Sequence, residues 1–216
     1  MNPVATTNPL SRQRRKEARP AELTAAALEL FVERGFAATR LDDVAARAGV
    51  SKGTLYLYFA SKEELFKAVI QQGLLPVLAQ GEEMMAQHRG DASTLLRELI
   101  LRWWALVVNT PLSAIPKLII SESGNFPEVA RYFQEQVGSR KDQLLGNVLQ
   151  KGMQSGEFRQ LDIPATIDLI SAPILMRVLW RYSLKPCGSG QQDDETYLNT
   201  YLDLLLNGLR TKGVRT

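Results

Sequence analysis

Between Thr39 and Lys62 the chain sets out a dense run of hydrogen-bond donors: Thr39, Arg40, Ser51, Lys52, Thr54, Tyr56, Tyr58 and Lys62, with Gly53 offering bare backbone among them. Hydroxyls, cations and an open helix start suit phosphate oxygens and base edges better than they suit bond-breaking chemistry. The sequence argues against catalysis in other ways. Its single histidine, His88, stands in a Gln-His-Arg-Gly helix end, and its single cysteine, Cys187, in a polar loop. No nucleophile elbow, phosphate loop or metal-ligand cluster can be read. No enzymatic activity, cofactor or metal is therefore expected. A lone cysteine makes no internal disulfide, which fits a reducing, cytoplasmic setting.

The donors need a frame, and the stretch LDDVAARAGVSKGTLYLYFA, Leu41 to Ala60, supplies one. It reads as two short helices crossing steeply. Ala45 lets them approach, Gly49 takes the turn where φ > 0 disfavours a side chain, and Val44, Ala48, Val50 and Leu55 form a small shared core. Ser51 caps the second helix and places Lys52, Gly53 and Thr54 in its first turn, the part of a helix-turn-helix that meets base edges. Thr39 is expected to cap the first helix. Tyr56, Tyr58 and Lys62 are expected at phosphates.

Helical periodicity runs through nearly all the rest, so an all-α fold of about nine helices is expected. Leu23, Ala26, Ala27, Leu30 and Phe31 make one stripe of a first helix, Pro20 to Glu33, stopped by Gly35. A helix after Ser61 has Glu64 to complete a capping box and Pro76 to kink it. Helices follow over Ala92–Asn109, Leu112–Ser121, Pro127–Ser155, Pro164–Tyr182 and Asp194–Leu209, the last with an apolar stripe wider than one core-facing side needs. Residues 1–18 read as a disordered basic arm. Ile163–Trp180 is the most apolar span, but Pro164, Asp168, Pro173 and Arg177 interrupt it, and it is not read as a membrane helix.

Charge is uneven. The first 62 residues hold ten Lys and Arg against six Asp and Glu, whereas the remainder is nearly balanced, and a basic head suits a polyanion. The Arg12–Arg19 cluster would then extend the footprint along the DNA. A helical architectural protein that binds DNA with little sequence preference is the alternative reading, and competition with unrelated DNA separates the two.

From about Ala18 to Ile70 the sequence resembles the DNA-binding domain of TetR-family transcriptional regulators. The resemblance rests on Gly35-Phe36, Thr39, Val44-Ala45, Ala48 through Tyr56, Tyr58-Phe59 and Ser61 through Phe66. It implies a helix-turn-helix domain over residues 19–66 and a helical effector-binding and dimerisation domain over 67–216. It also implies a homodimer on a palindromic operator, and an effector that shifts the fourth helix. Pro164–Tyr182 and Asp194–Leu209 would form the dimer bundle, as the wide stripe on the last helix independently suggests. Candidate linings for a small apolar or anionic effector are Met84, Met85, His88, Trp103, Trp104, Phe133, Met153, Met176, Arg177 and Trp180. Arg177 has no acidic neighbour three or four positions away, leaving a distant carboxylate such as Glu122, solvent or an anionic ligand as its partner.

Overall fold

A computed structural model describes the backbone of residues 9–184 and 193–211, and the side chains of 19–183 and 193–211. Cys187, most of its loop and the first eight residues of the expected arm lie outside the described residues, as do the side chains of Arg12, Arg14, Arg15 and Lys16. The chain divides into two compact units, Met1–Gln72 and Gly73–Thr216. The division comes later than the expected boundary after Phe66. The reason is that α4, Lys62–Gly73, buries Val69 and Ile70 as well as Leu65 and Phe66, and Gln72 Oε1 lies 2.6 Å from the Thr24 hydroxyl of the first helix.

In the first unit, α1 spans Pro9–Arg34. Residues 9–18, expected to be disordered, continue this helix upstream of Pro20. Helices α2, Leu41–Arg47, α3, Lys52–Tyr56, and α4 complete the unit. Its core is aromatic: Phe31, Phe36 and Phe66 meet pairwise with ring centroids 5.1–5.3 Å apart, a tilted and edge-on arrangement that aromatic quadrupoles favour.

The second unit begins at the break that Pro76 causes. Leu74 ends one helix, and α5, Leu75–Gln87, starts with Pro76 in its first turn, where a missing N–H costs nothing. Helix α6, Ala92–Trp103, is capped by Asp91, which accepts from Thr94 N, and the Glu157 carboxylate takes the N–H groups of Ala92 and Ser93 at 2.7 and 2.9 Å. A π-helical turn, Trp104–Val108, prolongs α6, and the chain then bends by 96° into Pro111–Glu122, which contains α7, Ala114–Glu122. Helices α8, Pro127–Phe133, and α9, Ser139–Gln154, are joined without interruption by a second π-helical turn, Gln134–Gly138. Helix α10, Ile163–Leu179, ends in a third, Trp180–Leu184. Helix α11 is Asp194–Leu209. The core of this unit is drawn from α6, α9, α10 and α11, with Leu95, Leu96, Val148, Leu149 and Leu202 among its buried members. Among the described residues the only β pairing is an isolated bridge between Phe158 and Arg210.

Ile163–Ser183 is long and apolar enough, by length and composition alone, to cross a membrane. One face of it, with Thr166, Ile167, Ile170, Arg177 and Val178, is buried within the unit. The opposite face leaves Leu169 and Met176 exposed.

Candidate functional sites: a DNA-reading helix pair and an apolar cavity

The helix pair is closed as its sequence requires. Ala48 ends α2 and Gly49 follows at φ 65°. Gly49 N then donates to Ala46 O and Val50 N to Ala45 O, the paired bonds that satisfy the last carbonyls of a helix. Val44, Ala45 and Leu55 are buried between the helices. Ser51 caps α3, accepting from Thr54 N at 3.1 Å, and its hydroxyl meets that of Thr54 at 2.9 Å. Ser61 accepts from Glu64 N, while the Glu64 carboxylate reaches back to Ala60 N.

Several residues expected at the DNA have partners within the unit. Thr39 does not cap α2: the N-cap is Arg40, without a side-chain bond. Thr39 is buried instead, and its hydroxyl donates toward Gly35 O at 2.7 Å and Leu30 O at 3.3 Å. An interior β-branched hydroxyl there ties down the connection that leads into α2. The Lys62 ammonium donates to Phe36 O and Ala37 O at 2.8 and 2.9 Å and lies over the Phe36 ring. It therefore holds the end of the first turn region before any phosphate arrives. Lys52 pairs with Asp42. Arg34 pairs with Asp43, and Arg47 grips both Glu29 and Glu33, holding the Glu33 carboxyl below its ordinary range by hydrogen bonding first and charge second. Three of the basic side chains counted in the sequence, Arg34, Arg47 and Lys52, are thus paired within the unit, and the excess of bases over acids rests on others such as Arg40. Arg40, Lys52, Gly53 and Tyr56 remain exposed, with Thr54 and Tyr58 half-buried. One exposed side chain escaped sequence reasoning: Leu57, immediately after α3, is 84% exposed.

In the second unit a cavity of about 240 Å³ opens between α5, α6, α8, α9 and α10. Its wall is largely aliphatic, from Val77, Leu78 and Leu99 through Val107, Leu144 and Ile174 to Val178. Of the expected linings, it contains Trp103 and Phe133. Met84, His88, Met153, Arg177 and Trp180 stand elsewhere, as do Met85, Trp104 and Met176. Met84 and Met153 pack on the core, where the Met153 sulfur accepts from Leu161 N. His88 bonds Asp91 O at 3.0 Å and lies 3.8 Å from Glu98. Arg177 finds neither Glu122 nor a ligand cavity: it pairs with Asp194 at the start of α11, at 2.6 Å, and covers the Tyr197 ring. Arg181 takes the other oxygen of Asp194 at 2.6 Å.

The polar groups that do reach the wall were not singled out in the sequence. They include Lys141, bonded to the Ser171 hydroxyl at 3.0 Å and paired with Asp142, and Arg102, donating to Gln80 at 2.6 Å. Two of the three π-helical turns border the cavity, through Val107 and Val108 in one and Gln134, Val137 and Gly138 in the other. Such wider turns recur at functional sites because they displace one residue out of helical register. Among the described residues no group of His, Cys, Asp and Glu is arranged to hold a metal ion.

A helix-turn-helix unit followed in one chain by a helical unit with an apolar cavity is the arrangement of a DNA-binding regulator with a ligand domain. Residues 23–69 match the profile of bacterial regulatory proteins of the tetR family, and residues 82–186 match a tetracyclin repressor-like C-terminal domain. An uncharacterised HTH-type transcriptional regulator, YfiR of Bacillus subtilis, is 32% identical over 155 residues, covering 70% of this chain and 74% of its own. The HTH-type transcriptional repressor KstR2 of Rhodococcus jostii is 27% identical over 196 residues, 90% of this chain and 92% of its own. The fold is that of the B. subtilis regulator FadR solved with stearoyl-CoA, with a TM-score of 0.73 at 24% identity over 88% of this chain and 99% of that one. The chain belongs to the TetR family of transcriptional regulators, and it is a DNA-binding protein of the helix-turn-helix type.

Proposed function

We propose that the protein is a homodimeric repressor that leaves a palindromic operator when an effector with an apolar body enters the cavity of the second unit. The observation that carries the reading is the joining, in one chain, of the Leu41–Tyr56 helix pair to a largely aliphatic cavity of about 240 Å³. Concave apolar sites with a few polar groups are the usual form of small-molecule sites. Here Lys141 and Arg102 offer the polar end, suiting an anionic or strongly polar head on the effector. The relative crystallised with stearoyl-CoA makes long acyl chains the first compounds to try. Helix α5 contributes Val77, Leu78 and Gly81 to the cavity wall and follows α4 in the chain after Leu74, so an effector that shifts α5 acts on the segment leading back to the reading helices.

Dimerisation through α10 and α11 is supported by apolar groups that these helices leave exposed: Leu169 and Met176 on α10 and Leu204 on α11. The spacing of seven between Leu169 and Met176 keeps them on one helix face.

The test is a footprint on DNA flanking the protein's own gene with excess unrelated competitor, followed by addition of stearoyl-CoA and shorter acyl-CoA esters. Protection of a palindrome, lost on adding one of these compounds together with a change in tryptophan fluorescence that a Trp103→Phe variant lacks, is the expected result. Binding that the competitor abolishes equally on all sequences would favour the architectural reading.

A further inference from the structure

We propose that Leu57 reads the 5-methyl group of one thymine in each operator half-site. The proposal rests on the DNA-binding reading above and names a reading residue within it. An exposed leucine by itself is ordinary; its place on the helix is what carries the argument. The helical hydrogen bond from Leu57 N to Gly53 O, at 3.2 Å, extends the α3 geometry through Leu57. The buried anchors of this segment are Leu55 and Phe59. Two residues along a helix turn about 200°, so Leu57 points away from both anchors, toward whatever the reading helix faces. Gly53 stands one turn earlier on the same ridge, and a Cβ built there would find only Ser51 Oγ, at 3.9 Å. The crest of the helix is therefore a bare glycine followed by a leucine that is 84% exposed.

This crest carries no side-chain donor or acceptor. The hydroxyls of Ser51 and Thr54 are bonded to one another beside it, and the Lys52 ammonium is drawn to Asp42. In the major groove the base edges present donors, acceptors and a single apolar feature, the thymine methyl. A leucine pressed against any polar edge would desolvate that edge without replacing its bond. Thymine is the base that Leu57 accepts without that loss.

Operators are selected from random DNA with the full-length protein, and each thymine of the selected half-site is replaced in turn by deoxyuridine, which removes the methyl alone. The wild-type protein should lose about three- to tenfold in affinity at one thymine per half-site. Leu57→Ala should show a similar loss on the unmodified operator and no further loss at that deoxyuridine. Leu57→Met, which keeps an apolar tip, should retain the wild-type dependence. Equal sensitivity of the wild type and Leu57→Ala to every deoxyuridine would overturn the assignment, as would a Leu57→Ala variant with unchanged affinity. Failure to select any sequence would overturn the DNA-reading function itself, and the Leu57 proposal with it.

Discussion

Asp194 carries more than its place in the sequence suggests. It opens α11 and holds two guanidinium groups of α10 and its terminal π turn, Arg177 and Arg181. Arg181 also donates to Val108 O, on the wall of the cavity. Arg177 is only 7% exposed, so the carboxylate compensates a cation that water scarcely reaches. Removing one partner of such a pair is costly, because the other charge stays behind undissolved. Asp194→Asn should lower stability by about 2 kcal/mol, less than the 3–5 typical of full burial, since the Asp194 side chain is itself 42% exposed. Urea unfolding of the variant measures this; an unchanged midpoint would mean that the fold does not depend on the Asp194 charge beside Arg177. Of the partners the sequence left open for Arg177, the pair realises a distant carboxylate, Asp194 in place of Glu122, and Arg177 does not line the cavity.

At the scale of elements, turns decide more than helices. Gly49 sits at φ 65° between α2 and α3, in the left-handed region where a Cβ crowds the following carbonyl. Nothing else stands within 4 Å of the site a Cβ would take, so Gly49→Ala isolates backbone strain from crowding. It should lower the stability of the first unit by about 1 kcal/mol, read as a lowered thermal midpoint, while secondary structure at 25 °C is unchanged. Pro173, inside α10, is braced differently. Tyr197 and Tyr201 of α11 donate their hydroxyls to Pro173 O and Ile170 O at 2.8 and 2.7 Å. Burial raises both the Tyr201 and the Tyr197 phenols above their ordinary range, so both hydroxyls keep their protons for these bonds at neutral pH.

For the whole molecule, four carboxylates held below their ordinary range contribute to the loss of stability in acid, Glu33 beside Arg47 being one of them. Thr94 N–H and hydroxyl hold Asp91 below its ordinary value, the Thr196 hydroxyl and N–H do the same for Asp193, and hydrogen bonds from Arg140 lower Glu82. Each is ionised more readily folded than unfolded, so its contribution is complete above the unfolded carboxylate range and fades as pH falls through it. Thermal stability should be flat from neutral pH to about 5 and drop below about 4; a midpoint that holds level to about 3 would contradict these cap assignments. Assembly offers a separate check. Met176→Glu places a charge on the exposed α10 stripe, and sedimentation should then report monomers with operator affinity reduced at least tenfold. A dimer that survives would move the interface away from α10 and α11.

The sequence by itself determined the all-helical class, the helix-turn-helix from Leu41 onward, the Ser51 cap and the Gly49 turn. All of these follow from local periodicity, capping and backbone sterics, which need no distant partner. The α11 bounds, Asp194–Leu209, were equally legible for that reason. Tertiary structure alone decided which side chains face inward or outward and what each charge meets. Thr39 carries the same hydroxyl wherever it points, yet packing of the loop before α2 turned it into the core. Lys62 found two carbonyls far back in the chain, and Arg177 found Asp194. The cavity took Trp103 and Phe133 but left Met84, Met85 and Met153 packed on the core and Met176 exposed, because aromatic and thioether side chains fill either space equally well until the helices around them are fixed.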